Sequence, residues 1–272
     1  MQALRFGGRL LAVCLAGLAL PAGADSQAGY ASARAALERK QFAAARTQFE
    51  TAAGAGDVRA MMALAAMLGA GQGGARDALS AFVWYERAAL AGHVPAQAML
   101  GTLYASGRGV AADAALSLVW TRRAAENGDA QSQHVMGIRS RDGLSVPRNT
   151  GQALLWFGAA AEQGHAQAQY SLGQLLVDAA AESKNANNVR NWREMSYLWL
   201  WLAREGGIRA ATLGLMQVGS LLTAEQIAKI EQDAREWKPL QFGRTETEPP
   251  QQQQTQQQQQ QQQQQKIPET KS

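Results

Sequence analysis

Three histidines and a group of arginines are the side chains here best suited to chemistry. His93, His134 and His165 could hold a metal or pass protons, since imidazole titrates near neutral pH. Their spacing supports neither. No two lie at helical ligand spacing and no His-Glu-x-x-His occurs, so a zinc site built from three scattered histidines is not expected. Gly-x-Ser-x-Gly and Ser-x-x-Lys are absent as well, which removes the common nucleophile signatures. The Gly-Arg-Gly-Val at Gly107 resembles a phosphate loop only superficially, because its glycines recur elsewhere at turns. The chain therefore reads as a protein without a catalytic centre, metal or cofactor.

The arginines remain. From Arg108 to Arg148 six arginines stand against Asp113, Glu126, Asp129 and Asp142. Guanidinium groups suit carboxylates and phosphates. Arg139, Arg141 and Arg148, with Tyr104 and His134, are the candidate partner-binding residues. They form either an anion-contacting patch or arginines satisfied by Asp142 and Glu126.

What positions them is a repeat. Gly56, Gly92, Gly128 and Gly164 are 36 residues apart, and Trp84, Trp120 and Trp156 keep that step. So do Gly71, Gly107 and Gly143, and Gly101, Gly137 and Gly173. Alanine pairs follow the same period, at Ala52-Ala53, Ala88-Ala89, Ala124-Ala125 and Ala160-Ala161. One period shared by so many positions marks one structural module.

Within a module the pattern predicts two helices. Ala60, Leu64, Met67 and Leu68 form a helical stripe, and glycines 71, 73 and 74 end it. Asp77, Asp113 and Asn149 are placed to cap the second helix, and Gly92 to close it in left-handed backbone. Asp57, His93, Asp129 and His165 then cap the next first helix, with Pro95 in its first turn, where the lost N–H is harmless. The tryptophans are expected to fill the space between successive helix pairs. Small residues such as Ala88, Ala89, Ala60, Ala96, Ser132 and Ala168 let neighbouring helices approach. Gln97, Gln133 and Gln169 are expected to make a structural hydrogen bond between modules.

With these residues assembled, the chain resembles the Sel1-like repeat family, relatives of the tetratricopeptide repeats. The best match is AQAMLGTLYASGRGV from Ala96, then Asp113, Trp120, Ala124-Ala125 and Gly128. The resemblance implies an all-α fold, an α-solenoid of antiparallel helix pairs in a right-handed superhelix, serving protein–protein contact on its concave face. It also implies roles such as envelope assembly, export or signalling. Repeats are expected at 58–92, 93–128, 129–164 and 165–208, after a divergent tetratricopeptide-like unit at 25–57. The fourth is stretched by a polar insertion around ESKNANNVRN, which moves its tryptophan to Trp199 and its glycine to Gly207. Capping helices follow at 209–240, the last opening with a capping box from Thr223 to Gln226.

The two ends read differently. Arg5 and Arg9, an apolar run from Leu10 to Leu20, and small residues up to Ala24 make a secretory signal at 1–24, with cleavage after Ala24. Its apolar run is about half the roughly 20 residues a membrane span needs. The expected location is the periplasm or outside the cell. The single cysteine, Cys14, falls inside that run, so the remainder has no thiol. Removing Arg5 and Arg9 leaves 24 basic against 22 acidic residues, too little excess for a nucleic-acid footprint. Residues 241–272, mostly glutamine, bear almost nothing apolar and are expected to be disordered. The expected partner is another protein, with an anionic polysaccharide or peptidoglycan as the alternative.

Overall fold

The computed structural model describes residues 22–240, with side chains from residue 27. The expected signal run up to residue 21 and the glutamine-rich segment from 241 lie outside the described residues. Every described element is a helix, and the chain forms two compact units that divide between Asp113 and Ala114.

The first unit contains α1 (Ala22–Glu38), α2 (Phe42–Gly54), α3 (Val58–Ala70), α4 (Ala78–Leu90) and α5 (Val94–Ser106). Each helix packs on the one before it. The second contains α6 (Ala114–Glu126), α7 (Ala130–Asp142), α8 (Thr150–Glu162), α9 (Ala166–Glu182) and α10 (Ala186–Glu205). It ends with α11 (Ala211–Gly219) and α12 (Ala224–Glu236), both packed on α10.

The caps follow the repeat. Asp57, Asp77, Asp129 and Asn149 each accept a backbone N–H at the start of their helix. Those second-helix caps also donate their own N–H back to the preceding helix, Asp77 to Leu68 O at 2.9 Å and Asn149 to Ser140 O at 2.7 Å. The seven-residue connection is thereby pinned at both ends. Gly92, Gly128, Gly164 and Gly207 all have φ between 83 and 93°, where a side chain would be strained. The two histidine caps diverge. His165 Nδ1 accepts from Ala168 N–H at 3.1 Å, whereas His93 occupies the position without making that bond, and its Nδ1 is buried with no partner.

The interior is filled differently from the expectation. Trp84, Trp120 and Trp156 are only half-buried. The buried residue is the one after the tryptophan position: Phe49, which follows Gln48, and Tyr85 in the first unit, Thr121, Phe157 and Leu200 in the second, with Phe49, Phe157 and Leu200 almost wholly enclosed. A helix places adjacent residues about 100° apart, so only one of the two can point at the neighbouring helix. The indoles instead lie along the rim. Arg87 sits over Trp84 at 4.7 Å and Arg123 over Trp120 at 5.5 Å, cation–π pairs three residues apart. In the fourth repeat Trp199 is buried, and Trp201 carries the arginine, Arg204, at 5.6 Å.

The three glutamines behave alike. Gln97, Gln133 and Gln169 are buried and donate to Ala89 O, Ala125 O and Ala161 O at 3.0–3.3 Å. Each ties a first helix to the second helix of the preceding repeat.

The polar insertion lengthens the two helices of the fourth repeat. Helices α3 to α8 have 13 residues each, but α9 has 17 and α10 has 20, while the connection between them shrinks to residues 183–185. The seven extra residues thus become additional helical turns. At the end of the chain the capping box forms in both directions, Gln226 N–H to Thr223 Oγ1 and Thr223 N–H to Gln226 Oε1. Trp237 then meets Trp199 edge-on at 6.0 Å.

Candidate functional site

The third repeat places the candidate arginines on different sides of the second unit. Arg139, in the last turn of α7, is half-buried and reaches Ser117 Oγ on α6 at 3.2 Å. Among the described residues it forms no ion pair with Glu126. Arg141 projects the other way and grips Asp142 with both guanidinium arms, at 2.7 and 2.9 Å. That bond holds the Asp142 carboxyl below its usual range and raises the Arg141 guanidinium further. Arg148 follows Gly143 and Ser145, two residues in left-handed backbone that fold the α7–α8 connection back on itself.

Arg141, Asp142 and Arg148 share a cleft of about 560 Å³ with Thr150 of α8 and Leu175, Asp178 and Glu182 of α9. One wall is basic, the other acidic. The acidic wall stands at the C-terminal end of α9, where a helix already carries partial negative charge. No ion pair holds Asp178 or Glu182 among the described residues, so their charge is offered outward. This arrangement can hold a segment bearing both signs of charge. It is a poor match for a uniformly anionic chain.

Sequence reasoning found the basic wall and missed the acidic one. Asp178 stands one 36-residue step beyond Asp142, at a position held by Ser106 and Ala70 in the first two repeats, and Glu182 lies one turn further. That departure from the template was the available signal.

Two other candidates prove to be interior residues. Tyr104 is buried against Phe82, ring to ring at 5.5 Å in an edge-on contact, and presents no partner-binding face. His134 is buried as well. Its Nε2 hydrogen-bonds with Ser171 Oγ at 3.2 Å, and its ring lies 5.0 Å from His165 and 5.6 Å from Phe157. Burial, then the neighbouring His165, then Arg141 push its pKa down to about 4. His165 also has a lowered pKa, through burial. Its Nδ1 accepts from Ala168, which leaves Nε2 to donate to Gln131 Oε1 at 2.9 Å. The pair is a neutral packing element. Among the described residues no three His, Cys, Asp or Glu side chains converge as a metal-holding group, and no helix is long and apolar enough to cross a membrane.

The Sel1 repeat family matches residues 58–93, 94–129 and 130–165. Three Sel1 repeats run in succession along this chain. The chain has the all-α solenoid fold of that family, built from antiparallel helix pairs, a fold that is typically a non-catalytic scaffold and generally mediates protein–protein interaction. The matched blocks coincide, to one residue at each border, with the repeats read from the glycine period. Two solved structures are similar. One is c5321, a protective antigen present in uropathogenic Escherichia coli strains with an SLR fold; it is 25% identical, over 78% of this chain and 46% of that one, with a TM-score of 0.62. The other is a Sel1 repeat protein from Oxalobacter formigenes, 30% identical over 65% of this chain and 49% of that one, with a TM-score of 0.59. The Sel1-repeat chain here spans about half the length of either. No curated protein matches it.

Proposed function

We propose that this Sel1-repeat protein is an exported scaffold that docks a partner protein through the charged cleft of its third repeat, in envelope assembly, export or signalling. The observation that carries this reading is the cleft itself. Arg141 and Arg148, in the repeat that departs most from its own template, face Asp178 and Glu182 of the next repeat across about 560 Å³. Repeats used only for architecture gain nothing from such side chains. A cleft with both charges selects a partner surface with the complementary order of charges. The signal-like segment ending at Ala24 supports the exported setting.

The arginines also favour a second reading, contact with an anionic polysaccharide or peptidoglycan. The carboxylates of Asp142, Asp178 and Glu182 in the same cleft weigh against it. The two separate in one experiment. A photo-crosslinking residue at Thr150, in the producing cell, should trap a discrete protein. Material that crosslinks only to wall fragments would support the glycan instead.

A further inference from the structure

The seven-residue insertion of the fourth repeat builds a second cleft, unlike the first. The first turns of α10 and the short connection before it carry Lys184, Arg190 and Arg193. The turn between α11 and α12 lays Leu221 and Leu222 opposite them, with Val189 alongside, around about 350 Å³. No carboxylate lines this space. Glu194, the acid nearest in sequence, is turned to Gln226 Nε2 at 2.7 Å, a bond that fixes α12 against α10. Among the described residues Lys184, Arg190 and Arg193 form no ion pair. Leu221 is 53% exposed, an apolar side chain held beside uncompensated cations.

We propose that this cleft receives an acidic peptide segment of a partner protein, with an apolar side chain between its carboxylates. Three cations within ten residues repel one another, and a strip of carboxylates relieves that repulsion. The leucines and Val189 supply the apolar contact that a free phosphate or a uniformly charged polyanion leaves unused. The described chain ends at the far end of α12 from this cleft. After α12 the backbone runs to Pro239, against Gly164, and Leu240 donates to Glu162 O at 2.7 Å. The 13 residues of α12, about 20 Å of helix, separate that exit from the cleft.

This inference rests on the scaffold reading but uses a different surface. The test is fluorescence anisotropy of a labelled Asp-Leu-Asp-Glu-Leu-Glu peptide with the full chain at low salt. Saturable binding is expected, weakening as salt rises. It should fall about tenfold or more in Lys184→Glu/Arg190→Glu and in Leu221→Asp, with unchanged melting temperatures. Arg209→Glu/Lys229→Glu removes equal charge elsewhere and should leave it within about twofold. An Arg148→Glu/Glu182→Lys protein should bind the peptide normally, so the two clefts can fail separately. The inference is overturned if both charge-reversal pairs weaken binding equally, or if a Lys-for-acid peptide binds as well. Binding that appears only after Glu246→Lys/Glu248→Lys would assign the cleft to the chain's own tail. Cleft-dependent binding of phosphatidylglycerol vesicles without peptide binding would assign it to a membrane.

Discussion

Gly137 of α7 and Phe157 of α8 fit together only because one lacks a side chain: a β-carbon on Gly137 would stand 2.5 Å from Phe157 Cε1. The same relationship recurs at Gly173, where a β-carbon would come within 2.7 Å of Leu200 Cγ. The periodic glycine of the first helix is thus the socket for the residue after the tryptophan. Helix propensity alone would favour alanine there by about 1 kcal/mol. Overpacking against a fully buried ring costs about 1–3 kcal/mol and wins. Gly137→Ala should therefore destabilise, while Gly158→Ala, a helical position with open space around it, should be neutral or stabilise by up to about 1 kcal/mol. Urea unfolding of the two variants checks the sign of each.

The same socket ranks two adjacent aromatics. Phe157→Ala should cost about 3–5 kcal/mol, because the ring is wholly enclosed. Trp156→Ala, larger in volume but half-buried, should cost roughly half as much or less. Equal losses in chemical denaturation would return the indole to the role its periodicity first suggested.

The inter-repeat glutamine gives a third expectation. Gln169→Leu removes the donor to Ala161 O and leaves that carbonyl buried without its side-chain partner. Because Gly164 N–H still donates to Ala161 O, a loss of about 0.5–1.5 kcal/mol is expected, measurable as a lower urea midpoint.

How much of this was legible in the sequence depends on the residue. The period, the caps at Asp57, Asp77, Asp129 and Asn149, and the capping box at Thr223 follow from local chemistry, so spacing reveals them. The tryptophan was misplaced because a period gives register but not the direction a side chain faces. The clue was Gln48, which holds the tryptophan position in the divergent first unit while Phe49 holds the core. The insertion's asparagines and charges suit solvent, and most of them face it from helices, but its composition did not say which secondary structure it would take. The acidic wall of the third-repeat cleft escaped because Asp178 and Glu182 belong to the next repeat, and only the packing of α9 on α8 brings them near Arg148.

Buried His134 makes stability depend on pH. Its folded pKa is about 4, below the unfolded value near 6.5, so the unfolded chain binds more protons between those two values. Its contribution is full above about pH 6.5 and is lost as pH falls toward 4, an effect on the order of 2–3 kcal/mol. His165, Arg141 and Asp129 are the charged or titratable groups around the pair, and none offers a compensating anion to His134 itself. His134→Met, the residue found at this position in the first repeat, should flatten the acid limb relative to the parent protein. Parallel curves for the two proteins between pH 4 and 6.5 would contradict this assignment.

Crosslinking from Thr150 inside the producing cell, compared between the parent chain and Arg148→Glu/Glu182→Lys, tests the docking claim most directly. Both substituted side chains are exposed, so melting should not change. The account predicts one discrete protein adduct that disappears when the two wall charges are exchanged. An adduct that persists unchanged in the exchanged protein, or none in either, would contradict it.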